Sequence, residues 1–304
     1  NAHVVQIGIM SRAQAVAVST VDANPGQYKN QTLQQIGTAV FGKVGVAWNV
    51  TAPNADTPFP RVSEHVGETR FCFIERLCRM QNVHMIDDGN GGIIGFRGPL
   101  ATSSPAATQA APKRVIITGG TVVGGPQQQI PMTNLVLQEG VNIKSGRVLL
   151  KNNEMVTDIG IYGSNYGQNS ADMNRQTYGH STISPSVPNR PFSLLAEEMG
   201  PDPMMQNRAK HQADWLRFYN VDGDITVQGW LAPDGDLWFN KVRQLVTLNA
   251  PTLLPNNSFQ FMIKGVTHKQ SNAEGTTTTI MLCRADGFGI NGVLPLQQQQ
   301  QSGQ

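Results

Sequence analysis

The alternation of apolar and polar positions is clearest between residues 202 and 288, where it predicts a helix followed by strands. Asp202 and Pro203 are typical of a helix N-cap followed by proline at the first helical position. The apolar positions that follow recur at helical spacing: Met205, Ala209, Ala213 and Leu216. We therefore expect a helix over 203–219 with one face to bury.

Short strands with turn residues between them follow this helix. The predicted strands are 225–230, 237–238, 242–248 and the arms of a longer hairpin, 259–267 and 276–283. Turns are predicted at 233–235 and at 271–275. We expect the first three strands to form an antiparallel meander, and the strand 242–248 to join the hairpin in one sheet with the helix packed on its outside.

The first hundred residues predict a small α/β module at 24–100. Thr32 and Gln35 form a capping-box pattern ahead of a helix over 32–41, and Thr69 is placed to cap a second helix. Two strands are expected to meet at a turn over 87–92. Before the module, residues 3–9 predict a strand with no partner before it, so the chain is expected to be the back part of a longer protein.

The middle and the end of the chain alternate between polar segments, which predict loops, and short apolar segments, which predict strands. Residues 101–112 predict a linker within a 101–134 insertion, 163–189 a surface loop, and 289–304 a Gln-rich tail. Four further strands are predicted: 115–118, 135–137, 146–150 and 156–162.

Composition narrows the class of protein. A net charge of +2 over 304 residues gives no electrostatic argument for nucleic acid as the main partner. No apolar run is long enough to span a bilayer. The 3 cysteines are an odd number, and we expect free, buried thiols from a reducing compartment.

Candidate chemical groups favour structural explanations. The six histidines have no metal-ligand spacing: His3, His65, His84, His180, His211 and His268. Asp87 and Asp88 are interpreted as turn residues rather than an acid/base or calcium site. Glu197 and Glu198 raise the possibility of a glycosidase carboxylate without an identifiable partner, and a solvated pair is the preferred interpretation.

Two other sets of residues, glycine pairs and tryptophans, also favour structural explanations. The pairs Gly119-Gly120 and Gly124-Gly125 lack the residues of a phosphate loop and are attributed to loop flexibility. The tryptophans 215, 230 and 238 suggest either a sugar-stacking platform or core and interface positions, of which the second is preferred. The sequence therefore predicts no catalytic, cofactor-binding or metal-binding residues.

Several sequence blocks, taken in order, resemble one family. They are "PGQYKNQTLQQIGTAVFGKVGV", "GETRFCFIERLCRMQNVHMIDDGNGGIIGF", "TVQGW", "DGDLWFNKVRQL" and "FMIKGVTHKQSNAEGTTTTIMLCRADGF". This order resembles the baseplate hub proteins of contractile phage tails, the Mu-like tail protein P and late control D group, which is related to the hub region of type VI secretion spike proteins. The 101–134 insertion departs from the pattern.

The resemblance implies an α+β, mainly β fold of tail-tube-like β-barrels with packed helices plus the small α/β module. Residues 1–23 would end an N-terminal barrel whose start is missing, and 135–288 would form a second barrel domain. The resemblance also implies a virion protein that is not an enzyme and has no cofactor. Its implied role is that of a homotrimeric baseplate hub, which adapts the six-fold tail tube to the three-fold spike and lines part of the DNA ejection channel.

The implied partners are the tube protein, the central spike protein and other baseplate proteins, with DNA only in passage and no membrane anchor. The implied location is the tail baseplate of the virion, after assembly in the host cytoplasm. Two alternatives stay open: a hub or spike component of a type VI-like or other contractile injection system, and a tail-associated cell-wall hydrolase.

Overall fold

The computed structural model describes residues 11–52, 55–98, 135–151, 155–165, 176–183, 189–254 and 258–288. The described residues are mainly β, with 42% strand and 24% helix, in agreement with the expected fold class. No helix among the described residues is long and apolar enough to cross a membrane. The predicted strands at 3–9 and 115–118, the 101–134 insertion and the 289–304 tail lie outside the described residues.

The described chain divides into two compact units, one formed by its residues within 11–98, 149–222 and 284–288 and the other by those within 135–148 and 223–283. The predicted 135–288 domain therefore contributes to both units. The biological domain boundaries stay a prediction.

The described residues between 11 and 98 form three helices and five strands. In chain order these are α1 (Gln14–Val18), β1 (Gln27–Gln31), α2 (Leu33–Gly42), β2 (Trp48–Val50), β3 (Phe59–Ser63), α3 (Arg70–Met80), β4 (His84–Asp87) and β5 (Ile93–Phe96). Strands β1 and β3 pair antiparallel, and a second sheet has the order β2-β5-β4. Helix α1 falls within residues 1–23, for which the end of a barrel was expected.

Both predicted helices of this module are confirmed, with their caps. The Thr32 hydroxyl accepts a hydrogen bond from the Gln35 backbone N–H, and the Gln35 side chain accepts one from the Thr32 N–H. The Thr69 hydroxyl accepts from the Cys72 N–H. Because α2 and α3 each bury one apolar face, the module has a continuous core.

The remainder of the first unit is a three-stranded sheet covered by a long helix. Its elements are β8 (Asp158–Ser164), β9 (Gln176–Thr182), β10 (Pro191–Leu195), α4 (Asp202–Asn220) and a 3-10 helix (Ala285–Phe288). The sheet order is β10-β8-β9. Strand β9 shows that the prediction of a loop throughout 163–189 was wrong.

Helix α4 packs on β8 and β9 and against α3, not on the outside of the hairpin sheet as expected. Met205, Ala209 and Ala213 are buried, as their spacing predicts. Gly179 permits this close packing, because a Cβ at that position would lie 2.1 Å from the Met205 carbonyl carbon. Without a side chain there, β9 and α4 can approach each other closely.

The predicted N-cap of this helix was one residue late. Pro201 is the N-cap, without a side-chain capping bond, and Asp202 is the first helical residue. The Asp202 carboxylate accepts a hydrogen bond from the Tyr178 backbone N–H at 3.0 Å instead. A tertiary contact to β9 therefore uses the side chain that the sequence assigned to the cap.

The second unit is built on a six-stranded sheet that curls into a half-barrel. Its strands are β6 (Val136–Gln138), β7 (Ile143–Leu150), β11 (Val221–Gln228), β12 (Leu245–Asn249), β13 (Ser258–Ser271) and β14 (Gly275–Arg284), in the order β6-β12-β13-β14-β11-β7. The predicted hairpin and its union with the 242–248 strand are confirmed.

The predicted meander was wrong. Strand β11 pairs with β14 and β12 pairs with β13, so β11 and β12 are not neighbours. The predicted strand at 237–238 falls at the start of a 3-10 helix, Trp238–Lys241. A short-range pattern could not show that β14, which comes later in the chain, separates the earlier strands.

Candidate functional site

Glu197 and Glu198 lie in a cluster of ion pairs, and the expectation that they form a solvated pair was wrong. Their side chains are 22% and 10% exposed. Arginines of α3 and α4 surround them, and Glu68 precedes α3. The charge cluster consists of Glu68, Arg76, Arg79, Glu197, Glu198 and Arg208.

Glu197 joins the two helices. Its carboxylate accepts hydrogen bonds from Arg208 Nε and Nη2, both at 2.7 Å, and from Arg79 Nη1 at 3.2 Å. The two bonds to one guanidinium form the planar bidentate geometry that arginine favours with a carboxylate. Glu197 therefore links α4 to α3.

Arg76 bridges two carboxylates. Its Nε and Nη2 donate to Glu68 at 3.0 and 2.9 Å, and its Nη1 forms an ion pair with Glu198. The Arg76 side chain is 9% exposed, so this guanidinium is largely removed from water. Burying charged groups costs about as much free energy as their pairing recovers. The cluster therefore fixes the relative positions of its segments more than it adds to the stability of the fold.

The protonation state of Glu197 follows from these contacts. Burial acts to raise the pKa of Glu197, but the hydrogen bonds and charge of Arg208, with a further contribution from Arg79, hold the pKa below its ordinary value. Burial likewise opposes the charge of Arg79, while Glu75 and Glu197 raise the pKa of this arginine. Glu197 is therefore a carboxylate committed to ion pairs, poorly suited to donate a proton.

The fold also brings together a buried pair of histidines that sequence spacing did not indicate. His84 of β4 and His211 of α4 stack with their ring centroids 4.6 Å apart. Burial, with Arg97 nearby, lowers the pKa of His84 to about 4, and burial lowers the pKa of His211 well below its ordinary value. Both rings are therefore neutral near pH 7. Their separation of more than one hundred positions along the chain explains why spacing could not reveal them.

Near His211 in the chain, burial raises the pKa of Asp214 to about 6, although Arg217 acts in the opposite direction.

Within the described part of the chain, no group of three or more His, Cys, Asp or Glu side chains is placed to hold a metal ion. The other three described histidines have local contacts: His65 Nδ1 lies 3.9 Å from Glu68, His180 Nε2 lies 3.3 Å from Asp158, and His268 Nδ1 lies 2.8 Å from the Thr278 hydroxyl.

Asp87 and Asp88 organise a turn, as interpreted from the sequence. Asp87 Oδ1 accepts from the Gly89 N–H at 2.6 Å, and Asp88 Oδ1 accepts from the N–H groups of Asn90 and Gly92 at 2.7 and 2.8 Å. These are the bonds by which aspartate side chains shape tight turns. The glycine pairs at 119–120 and 124–125 lie outside the described residues.

The aromatic and thiol candidates divide between core and surface. Trp238 is buried, whereas Trp215 and Trp230 are 42% and 37% exposed. Cys78 and Cys283 are buried, but Cys72 is exposed, so the prediction of buried thiols was wrong for that residue. The three cysteines, all in described segments, form no disulfide. Burial raises the pKa of the Cys78 thiol.

An open cleft of about 320 Å³ lies beside the N-terminal half of α4. We call it the proline cleft. Its lining residues are Thr57, Pro58, Pro60, Gln81, Pro201, Pro203, Met204, Gln206, Asn207 and Lys210. Sequence periodicity could not find this cleft, because segments far apart in the chain form its walls.

Residues 15–95 match the family described as baseplate hub protein gp44-like, second domain. This range contains α1 to α3 and β1 to β5, and it overlaps the predicted 24–100 module. No curated protein matches the sequence.

Two solved structures share the fold over most of the chain. The 43 kDa tail protein of prophage MuSo2 from Shewanella oneidensis is 20% identical with a TM-score of 0.67, covering 91% of this chain and 73% of that protein. The tail protein from Neisseria meningitidis MC58 is 16% identical with a TM-score of 0.65, covering 90% of this chain and 72% of that one. Residues 15–95 therefore resemble a baseplate hub domain, and the chain shares the fold of these two tail proteins.

Proposed function

We propose that the chain is a subunit of a homotrimeric baseplate hub that adapts the six-fold tail tube to the three-fold central spike. In this role it forms part of the channel through which DNA leaves the virion, and its partners are the tube, spike and other baseplate proteins. The protein acts in the tail baseplate after assembly in the host cytoplasm.

The observation that carries this proposal is the match of residues 15–95 to a baseplate hub domain, within a chain whose whole fold resembles phage tail proteins. A domain match with no accompanying fold would support only that module. Here the tail-protein fold extends over 91% of the chain.

The six-stranded sheet gives a physical reason for assembly. In the described part of the chain, β7 is one of the two end strands of this sheet, and Leu149 and Leu150 on it are 43% and 56% exposed. An end strand presents backbone groups that can pair with another chain, and a closed ring of subunits can cover such strands. Ring formation would therefore remove an edge otherwise open to uncontrolled association.

We also propose that the chain is not an enzyme. Glu197 and Glu198, the carboxylates considered for a hydrolase, are engaged by arginines. Asp88 is occupied by the turn at Asn90 and Gly92. Purified protein is expected to leave peptidoglycan intact; hydrolysis that disappears in Glu197→Gln or Asp88→Asn would contradict this.

Light scattering on the full chain tests the oligomeric state. The expected mass is about three times the 33.0 kDa of one chain, and the trimer is expected to co-sediment with assembled tail tubes. A stable monomer across the micromolar range, or a trimer that binds no tube, would contradict the hub proposal.

A further inference from the structure

The walls of the proline cleft favour a ligand that brings its own hydrogen-bond donors. Four of its lining residues are prolines, which carry no backbone N–H: Pro58, Pro60, Pro201 and Pro203. Met204 adds an adaptable apolar surface. The cleft therefore offers apolar contact and acceptors but few backbone donors.

Gln81 supplies an unsatisfied acceptor to this cleft. It follows α3 and is 2% exposed. Its Nε2 donates to the Thr57 carbonyl at 2.7 Å, which fixes the orientation of the amide. Its Oε1 is buried and has no hydrogen-bond partner. A buried acceptor without a donor is costly, so a ligand N–H bound here would be favoured.

The rim of the cleft carries a cation. Lys210, one of the lining residues, is exposed on α4. Among the described residues it has no carboxylate within ion-pair distance. Asn207, one turn earlier on α4, also lines the cleft. The cleft thus combines an apolar wall, a buried acceptor and a positive rim.

We propose that the proline cleft binds an extended peptide segment of a partner protein that carries an acidic side chain. A backbone N–H of the peptide donates to Gln81 Oε1, apolar side chains contact the prolines and Met204, and the carboxylate meets Lys210. A cleft of about 320 Å³ accommodates a few side chains and not a folded domain. The proposal does not rest on the trimeric state.

Selection of random octapeptides on the full chain tests the inference. Enriched peptides are expected to contain Asp or Glu, and to lose about tenfold or more in affinity for Lys210→Glu, because the charge contact becomes repulsive. Lys29→Glu is the matched control, since it reverses the charge of another exposed lysine in the same unit. Its affinity for the peptides is expected to equal that of the original chain.

Two further readouts locate the peptide. Replacing its acidic residue by lysine should restore binding to Lys210→Glu, and bound peptide should slow hydrogen exchange at 57–60 and 203–210. Failure to enrich any peptide, equal binding to both lysine variants, or protection elsewhere would overturn the proposal. The solution mass of Lys210→Glu is expected to match that of the original chain, which separates this test from that of the hub.

Discussion

Replacing Glu197 by glutamine tests whether the charge cluster holds α3 and α4 together. Glutamine preserves the shape of the side chain but removes its charge. Arg208, whose side chain is 4% exposed, would lose the carboxylate that accepts its two 2.7 Å bonds. The variant therefore leaves a buried guanidinium without a matching charge.

The expected loss of stability in Glu197→Gln follows from how deeply the ion pair is buried. Removing one partner of a fully buried ion pair costs roughly 3–5 kcal/mol. Glu197 is 22% exposed and glutamine retains one acceptor oxygen, so we discount this to about 2 kcal/mol. Glu75→Gln is the matched control: Glu75 is about as exposed as Glu197, at 26%, but its partner Arg79, bound through Nε at 2.5 Å, is 38% exposed whereas Arg208 is 4% exposed. That change is expected to cost about 0.3–0.5 kcal/mol.

The effect depends on pH in a defined direction. Because Arg208 and Arg79 outweigh burial, the folded pKa of Glu197 lies below its ordinary value of 4.5. The unfolded chain therefore binds a proton first as the pH falls. The stabilisation by Glu197 is complete above pH 4.5 and is lost as the pH falls through the lower, folded pKa. The difference between the original chain and Glu197→Gln should shrink over that window.

Hydrogen exchange of the full chain is the appropriate assay, because it reports the opening free energy of α3 and α4 separately from the second unit. At neutral pH, amides of both helices should lose more protection in Glu197→Gln than in Glu75→Gln. Equal losses in the two variants would refute the argument from burial. A loss that persists unchanged well below pH 4.5 would refute the assignment of the effect to the Glu197 charge.

Two further predictions concern the same unit. Gly37→Ala should lower the unfolding free energy measured in urea by about 1–3 kcal/mol, because the added Cβ would lie 2.3 Å from Trp48 Nε1. Gly42→Ala is the control, since a Cβ there meets nothing within 4 Å and should be neutral or slightly stabilising. Equal effects of the two substitutions would contradict this argument. Because the folded pKa of His84 is about 4 and its ordinary value 6.5, the contribution of His84 to the unfolding free energy should fall by roughly 3 kcal/mol between pH 6.5 and 4. His84→Phe should flatten this slope and the exposed His65→Gln should not; an unchanged slope in His84→Phe would contradict the assignment.

Features set by neighbouring residues were predictable from the sequence. The capping box of Thr32 and Gln35 and the cap at Thr69 require only residues within one turn of a helix, and both are confirmed. The hairpin of β13 and β14 has its turn where glycine and polar residues cluster, and its arms alternate with the strand period. In these cases local chemistry and the final fold agree.

Features set by distant residues were not predictable in this way. Glu197 and Glu198 resemble a solvated pair in isolation, and only the fold brings Arg76 to one and Arg208 to the other. His84 and His211 meet for the same reason. The Gln81 amide donates through Nε2 to the distant Thr57 carbonyl and leaves Oε1 without a partner, and periodicity carries no signal for such an arrangement.

The charge cluster also bears on how the family match should be interpreted. The matched range 15–95 supplies Arg76 and Arg79, but their partners Glu198 and Glu197 lie outside it. An isolated 15–95 segment would expose guanidinium groups that the complete chain pairs, and it would lose part of a core cluster that continues into residues 155–213. The paired carboxylates of Glu197 and Glu198 therefore hold α3 of the matched module in a defined orientation against α4.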